Sequence, residues 1–290
     1  MSEPDLKSAG RLRPAGASWR SILVQALPGK PGRIRLESAS ALAADLDALL
    51  IGIGAETVEP FVYADPYMTA TGEMFETLRA EITAHLAAAE ADFKAAAAQV
   101  RHEWRAYAER PGPVLAALSR EADLIVAGGE QELREDGYRK ASAAELALTS
   151  GRPVLVVPPQ GGRLRAEAVL VAWKDGREAR RAVADALPLL KCAGAVRVLA
   201  VAPKDSEAEV EAQVADVVAG LKRHEVPANG HVIAAPDSAV AELLDQEASA
   251  FGADLLVAGC YGHSRANEWL FGGVTQDLLS RTDRFVLFSH

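Results

Sequence analysis

The stretch ADLLVAGCYGHSRANEWLFGG, residues 253–273, joins an apolar run to a loop with glycines at 259, 262, 272 and 273. Leu255, Leu256, Val257 and Ala258 are continuous rather than alternating, the pattern of a parallel strand covered on both faces. Glycines after such a strand let the backbone come close to a ligand. A helix beginning near Gly273 would aim unpaired amides and the positive end of its dipole at an anion. Two readings stand side by side here: phosphate-binding geometry, or ordinary turn chemistry with no ligand.

Outward from this stretch, the lead GADLLVAGC (252–260) has a counterpart in EADLIVAGG (121–129). Each is preceded by an amphipathic helical pattern and followed by a closing apolar strand, RPVLVVPP (152–159) or RFVLFSH (284–290). Both halves also open alike, with SWRSILVQA (18–26) and RAEAVLVAW (165–173). Three landmark strands thus recur in one order, the signature of an internal repeat. The turn-forming segment PPQGGRLR (158–165) links the copies. The implied organisation is a flexible tail at 1–17, an N-terminal domain at 18–160 and a C-terminal domain at 165–290.

In the second half strands and helices alternate. Strands are expected at 169–173, 196–201, 231–235, 254–258 and 285–289, with helices at 178–191, 207–223, 238–250 and about 273–281. Such βα alternation implies a parallel sheet with helices on both faces and right-handed crossovers. The first half is less regular: a helix at 36–50, a strand at 58–63, a loop at 64–72, and a long helix from about 73 toward 99. Along that helix Leu78, Ile82, Leu86, Ala89 and Phe93 recur at helical spacing. Val100, Trp104 and Tyr107 could extend that helix, yet matching to the second half favours a strand at 101–107. The expected class is α/β, two doubly wound five-stranded, mostly parallel sheets in tandem.

Composition narrows the function classes. The chain has 290 residues, 49% hydrophobic and 24% charged, enough for two domains each with a core. A net charge of −9 argues against a general phosphate-attracting field, so no nucleic-acid partner is expected. Two cysteines, Cys192 and Cys260, make no disulfide framework and fit a reducing, cytoplasmic compartment. The six histidines form no HExxH or paired Cys/His spacing, so no metal is expected. No run approaches the ~20 apolar residues of a membrane span, and the first residues lack a signal peptide's apolar region.

With the repeat and the loop together, the chain resembles a tandem universal stress protein, over about residues 18–290. That family's nucleotide-binding signature, G-x2-G-x9-G-[ST], is matched by Gly259, Gly262 and Gly272 with the apolar lead ADLLVAG before them. The resemblance implies an adenine nucleotide alpha hydrolase-like fold and a C-terminal site for ATP or AMP. It implies contacts at Gly259, Gly262, His263, Arg265, Gly272, Gly273 and Val274, with Asp175 or Lys174 near sugar and base. It also implies a cytoplasmic stress-response protein whose closing strands, 154–157 and 286–288, pair as an internal pseudo-dimer, with a homodimer open as well.

Three departures qualify this. Gly273 stands where ATP-binding members carry Ser or Thr, and a lost hydrogen bond to a charged group is worth roughly 1.5–3 kcal/mol, one to two orders of magnitude in affinity. Lys174 stands where members usually place Asp, with Asp175 next in VAWKDGREA. After ADLIVAGG the first half lacks the second glycine, and Glu130, Glu132, Glu135 and Asp136 place negative charge where phosphates would sit.

Other residues carry paired readings. His263, Ser264 and Arg265 could contact a phosphate, Arg265 bidentately, or be exposed loop residues. Cys260 near a helix start could be an acidified redox thiol or an inert, half-buried one. Trp269, Leu270 and Phe271 anchor the loop or meet another chain. No GxSxG elbow or GxxxxGK[ST] loop occurs, and no catalytic base is evident, so any ATP hydrolysis would be slow. Two function classes follow: a nucleotide-responsive protein, and a nucleotide-free scaffold acting through partners.

Overall fold

The computed structural model describes residues 12, 19–57, 72–129, 139–260, 277–279 and 283–290. The N-terminal half runs β1 (Ser21–Gln25), α1 (Lys30–Leu46), β2 (Leu49–Ala55), α2 (Gly72–Ala97), β3 (His102–Tyr107), α3 (Pro111–Leu118), β4 (Leu124–Gly128), α4 (Ala143–Thr149) and β5 (Val154–Val157). The C-terminal half runs β6 (Ala168–Trp173), α5 (Arg177–Leu190), β7 (Ala195–Ala202), α6 (Glu207–Arg223), β8 (Ala228–Ala234), α7 (Val240–Phe251), β9 (Leu255–Gly259) and β10 (Phe285–Ser289).

The strands form one sheet in the order β3-β2-β1-β4-β5-β10-β9-β6-β7-β8. Within each half neighbours are parallel. The halves join where β5 and β10 run antiparallel, Leu155 opposite Leu287 and Val156 opposite Val286. The expected pairing of the closing strands is therefore present, and it fuses two five-stranded sheets into one of ten. β5 and β10 are buried along their whole length. Left as edges, these apolar strands would expose a row of unpaired amides and carbonyls, which their mutual pairing removes.

A core lies on each face of the sheet, and each crosses the seam between halves. One gathers Leu36, Phe93, Ala179, Ala182, Val214 and Leu287 beneath α1, α2, α5 and α6. The other gathers Leu115, Leu146, Leu244, Leu256 and Phe288 beneath α3, α4 and α7.

The aspartate of the repeated ADL triplet has a local task. Asp123 Oδ2 accepts hydrogen bonds from the backbone N–H of Arg20 (2.7 Å) and Ser21 (3.0 Å) at the start of β1. Asp254 does the same for Glu167 and Ala168 at the start of β6, both at 3.2 Å. Each carboxylate satisfies amides that the neighbouring ladder leaves unpaired.

One expected segment is misplaced. The helix expected at 36–50 is α1 and ends at Leu46, where Asp47 takes a left-handed conformation (φ 50°) that Asp tolerates. The second strand is LLIGIGA, Leu49–Ala55, while 58–63 lies outside the described residues. Gly52 and Gly54 make this run look broken, yet both serve packing. A Cβ on Gly52 would sit 2.5 Å from the Phe93 ring, and one on Gly54 2.7 Å from the Trp104 ring. α2 and β3 use the space these glycines leave empty. β3 itself falls where matching to the second half placed it.

Candidate functional site

Strand order reverses between β1 and β4 in one half and between β6 and β9 in the other. In doubly wound sheets, ligands bind in the crevice outside the carboxyl ends of the strands at such points. β6 and β9 are in register there, Ala172 opposite Ala258, so the chain leaves β6 through Trp173, Lys174 and Asp175 beside Gly259. The fold thus brings together three of the expected site residues, Lys174, Asp175 and Gly259. Gly262, His263, Arg265, Gly272, Gly273 and Val274 lie outside the described residues, as do Ser264 and the Trp269, Leu270 and Phe271 cluster.

Gly259 has a packing reason to be glycine. A Cβ there would lie 2.7 Å from the backbone nitrogen of Ala179 and 2.7 Å from the carbonyl carbon of Glu178. The first turn of α5 rests on the end of β9. The sequence reading assigned the missing side chain to ligand approach, whereas the space belongs to this helix.

The two candidate side chains after β6 differ in environment. Lys174 is exposed and makes no ion pair among the described residues. Asp175 Oδ1 pairs with the Arg180 guanidinium at 2.6 Å, both partly exposed, a contact of small energetic weight. Gly176 caps α5 without a side-chain hydrogen bond. The mouth of the crevice therefore presents an exposed ammonium beside a helix start, which favours an anionic ligand.

Behind it lies a polar cluster that the sequence reading missed. Glu178 is buried, and its Oε1 accepts from Arg177 Nε at 2.7 Å. Burial pushes its carboxyl up, but hydrogen bonds from Arg177 and its own backbone, with the Arg177 charge beside it, leave it below the usual range. Arg177 Nη2 also lies 3.1 Å from His290 Nε2, and His290 Nδ1 lies 2.9 Å from the Cys260 carbonyl oxygen. A guanidinium only donates, so His290 accepts at Nε2 and donates from Nδ1. A glutamate in the first turn of the REAR helix was the available signal, but the far member of the cluster, His290, is 113 positions from Arg177, too far for a local motif to reveal.

Cys260 is fully buried, and desolvation pushes its thiol up to about 12. The inert reading holds, and the redox-sensor reading is corrected by burial. Two buried polar atoms have no hydrogen-bond partner among the described residues here, Trp173 Nε1 and Ser289 Oγ. By register they flank Gly259 in one row across the sheet. Such orphans retain a bond for water or ligand, so the donor set of this region suits a polar, anionic molecule.

Elsewhere, a groove between α6 and β8, floored by Val214, Val218 and Val232, lies at the β8 edge of the sheet, two strands from β6. Among the described residues no cluster of His, Cys, Asp and Glu could hold a metal ion, and no helix is long and apolar enough to cross a membrane.

No protein-family model and no curated protein matches the chain. Among solved structures it is similar to a universal stress protein from Archaeoglobus fulgidus DSM 4304. The two are 14% identical over 93% of this chain and 95% of that one, with a TM-score of 0.63. A functionally unknown protein from Pseudomonas aeruginosa PAO1 is 16% identical over 94% of this chain and 92% of that one, with a TM-score of 0.57. A universal stress protein in complex with cAMP is 24% identical over 49% of this chain and 99% of that one, with a TM-score of 0.35. The chain thus has the α/β fold of universal stress proteins, and at these identities the likeness speaks for the fold alone.

Proposed function

We propose that this chain is a nucleotide-responsive protein of the universal stress type, whose C-terminal half binds ATP or AMP and whose occupancy alters its association with partners. The observation that carries this is the juxtaposition of the carboxyl ends of β6 and β9 at the order reversal, from which the G-x2-G-x9-G loop departs. In this reading the loop amides, with Gly262, His263, Arg265, Gly272, Gly273 and Val274, hold the phosphates. Lys174 offers a cation at the mouth, and Asp175 exchanges Arg180 for a sugar hydroxyl. Residues 18–160 and 165–290 are the two domains, paired as an internal pseudo-dimer in a cytoplasmic protein. No catalytic residue is assigned, and hydrolysis, if any, is very slow.

The test is mass spectrometry of small molecules released from the natively purified protein, with calorimetric titration of ATP and AMP. Retained adenine nucleotide, or binding weakened by Lys174→Ala, is the expected result. Absence of binding at millimolar ATP would falsify the proposal.

A second reading, a nucleotide-free scaffold, is favoured by one specific observation: the space at Gly259 is taken up by α5. Gly273, in place of a hydroxyl residue, points the same way. Under it Gly262→Asp leaves partner binding intact, and loss of partner binding with the fold preserved excludes it.

A further inference from the structure

Gln25 and Ala172 occupy equivalent positions in the two halves. Val24 lies opposite Val126 and Val171 opposite Val257, in the matched strands LIVAG and LLVAG, and each is followed by the residue in question. Glu56 and Ala202 correspond in the same way, three residues past Ile53, which pairs with Gln25, and past Leu199, which pairs with Ala172. The N-terminal half therefore puts an amide and a carboxylate at strand ends where the C-terminal half has two methyl groups.

The amide is engaged at both its nitrogen and its oxygen. Gln25 is 2% exposed, its Nε2 donates to the Arg139 carbonyl (2.8 Å), and its Oε1 accepts from the Ala141 N–H (2.9 Å). Alternation along β1 puts Gln25 on the same face as Leu23, toward α4. Alternation along β2 puts Glu56 on the opposite face, where α2 brings His85 Nδ1 to 3.2 Å from Glu56 Oε1. Arg139 Nε lies 2.8 Å from that same oxygen. Residue 139 is thus held by its main chain on one face and by its guanidinium on the other, and it straddles the carboxyl ends of β1 and β2. In the C-terminal half, Ala172 is only partly buried and carries no group that could make such bonds.

We propose that Gln25 is a built-in latch that fills the crevice of the N-terminal half. The side chain at this register position then decides which half can take a ligand, Gln25 closing one crevice and Ala172 leaving the other open. The amide supplies one donor and one acceptor to the main chain crossing the strand ends, the roles a bound polar ligand would otherwise take. The claim about Ala172 rests on nucleotide binding by the C-terminal half, whereas the latch does not.

Two variants of the full chain test it. Ala172→Gln is expected to weaken ATP binding by roughly tenfold or more, the size of one lost ligand contact, with circular dichroism unchanged. Gln25→Ala is expected to speed hydrogen exchange at the Ala141 amide by roughly tenfold, confined to 139–141 and the ends of β1 and β2. Gln25→Glu, which keeps the acceptor and loses the donor, should fall between. If wild type binds ATP and Ala172→Gln binds equally well, the selector role is overturned. If wild type does not bind ATP, the nucleotide reading fails, and the exchange data alone judge the latch. Unchanged protection at Ala141 in a folded Gln25→Ala protein overturns the latch itself.

Discussion

Cys260 illustrates how one side chain changes meaning with its surroundings. Beside a glycine loop it has the context of a reactive thiolate, but in the fold it is enclosed beneath the sheet and its thiol is pushed up to about 12. The thiolate is the nucleophile, so at neutral pH the native protein should react with a thiol reagent at Cys192, which is partly exposed, and not at Cys260. Mass mapping after brief native alkylation checks this; labelling of Cys260 at a rate like that of Cys192 would contradict it. Glu178 follows a different logic. Its depressed carboxyl contributes stability above the ordinary glutamate range, and that stability is lost as pH falls through its folded value.

Between elements, glycine takes two distinct roles here. At Gly259 it admits the first turn of α5, and at Gly52 it admits the Phe93 ring of α2. The second case explains why β2 was misread: in LLIGIGA the glycines interrupt the apolar pattern on which strand recognition depends. The compensating side chain lies a whole helix away in sequence. Gly52→Ala should destabilise the protein by about 1–3 kcal/mol through overpacking. Combining it with Phe93→Leu should recover part of that loss, because the two residues share one space. Urea denaturation of the single and double variants measures the coupling, and simple additivity would show that the contact is not the cause.

Over the whole molecule, the decisive feature is the β5–β10 seam. It converts two edges into the centre of a sheet and lets both cores run across the boundary between halves. The linker reinforces it: Leu164 and Ala166 are buried, and Arg163 pairs with Asp45 of α1. The halves should therefore unfold together. Val286→Asp would bury an unpaired charge in the seam and should cost about 3–5 kcal/mol, as when a buried charge loses its partner. Calorimetry of the wild type should show one transition, and two well-separated transitions would mean that the seam does not couple the halves.

The sequence determined the parts whose signal is local. Apolar runs marked eight of the ten strands, matching between the halves placed β3, and the ADL repeat marked the duplication, while the pairing of the closing strands was implied by the family resemblance. The tertiary structure decided the rest, because each of those outcomes joins residues far apart in the chain. The partner of Gln25 is 114 residues away, that of Arg177 is 113 away, and the occupant of the space at Gly259 comes from a helix some 80 positions earlier. Periodicity and propensity report on neighbours along the chain, whereas which crevice is filled depends on side chains that meet only when the sheet is complete.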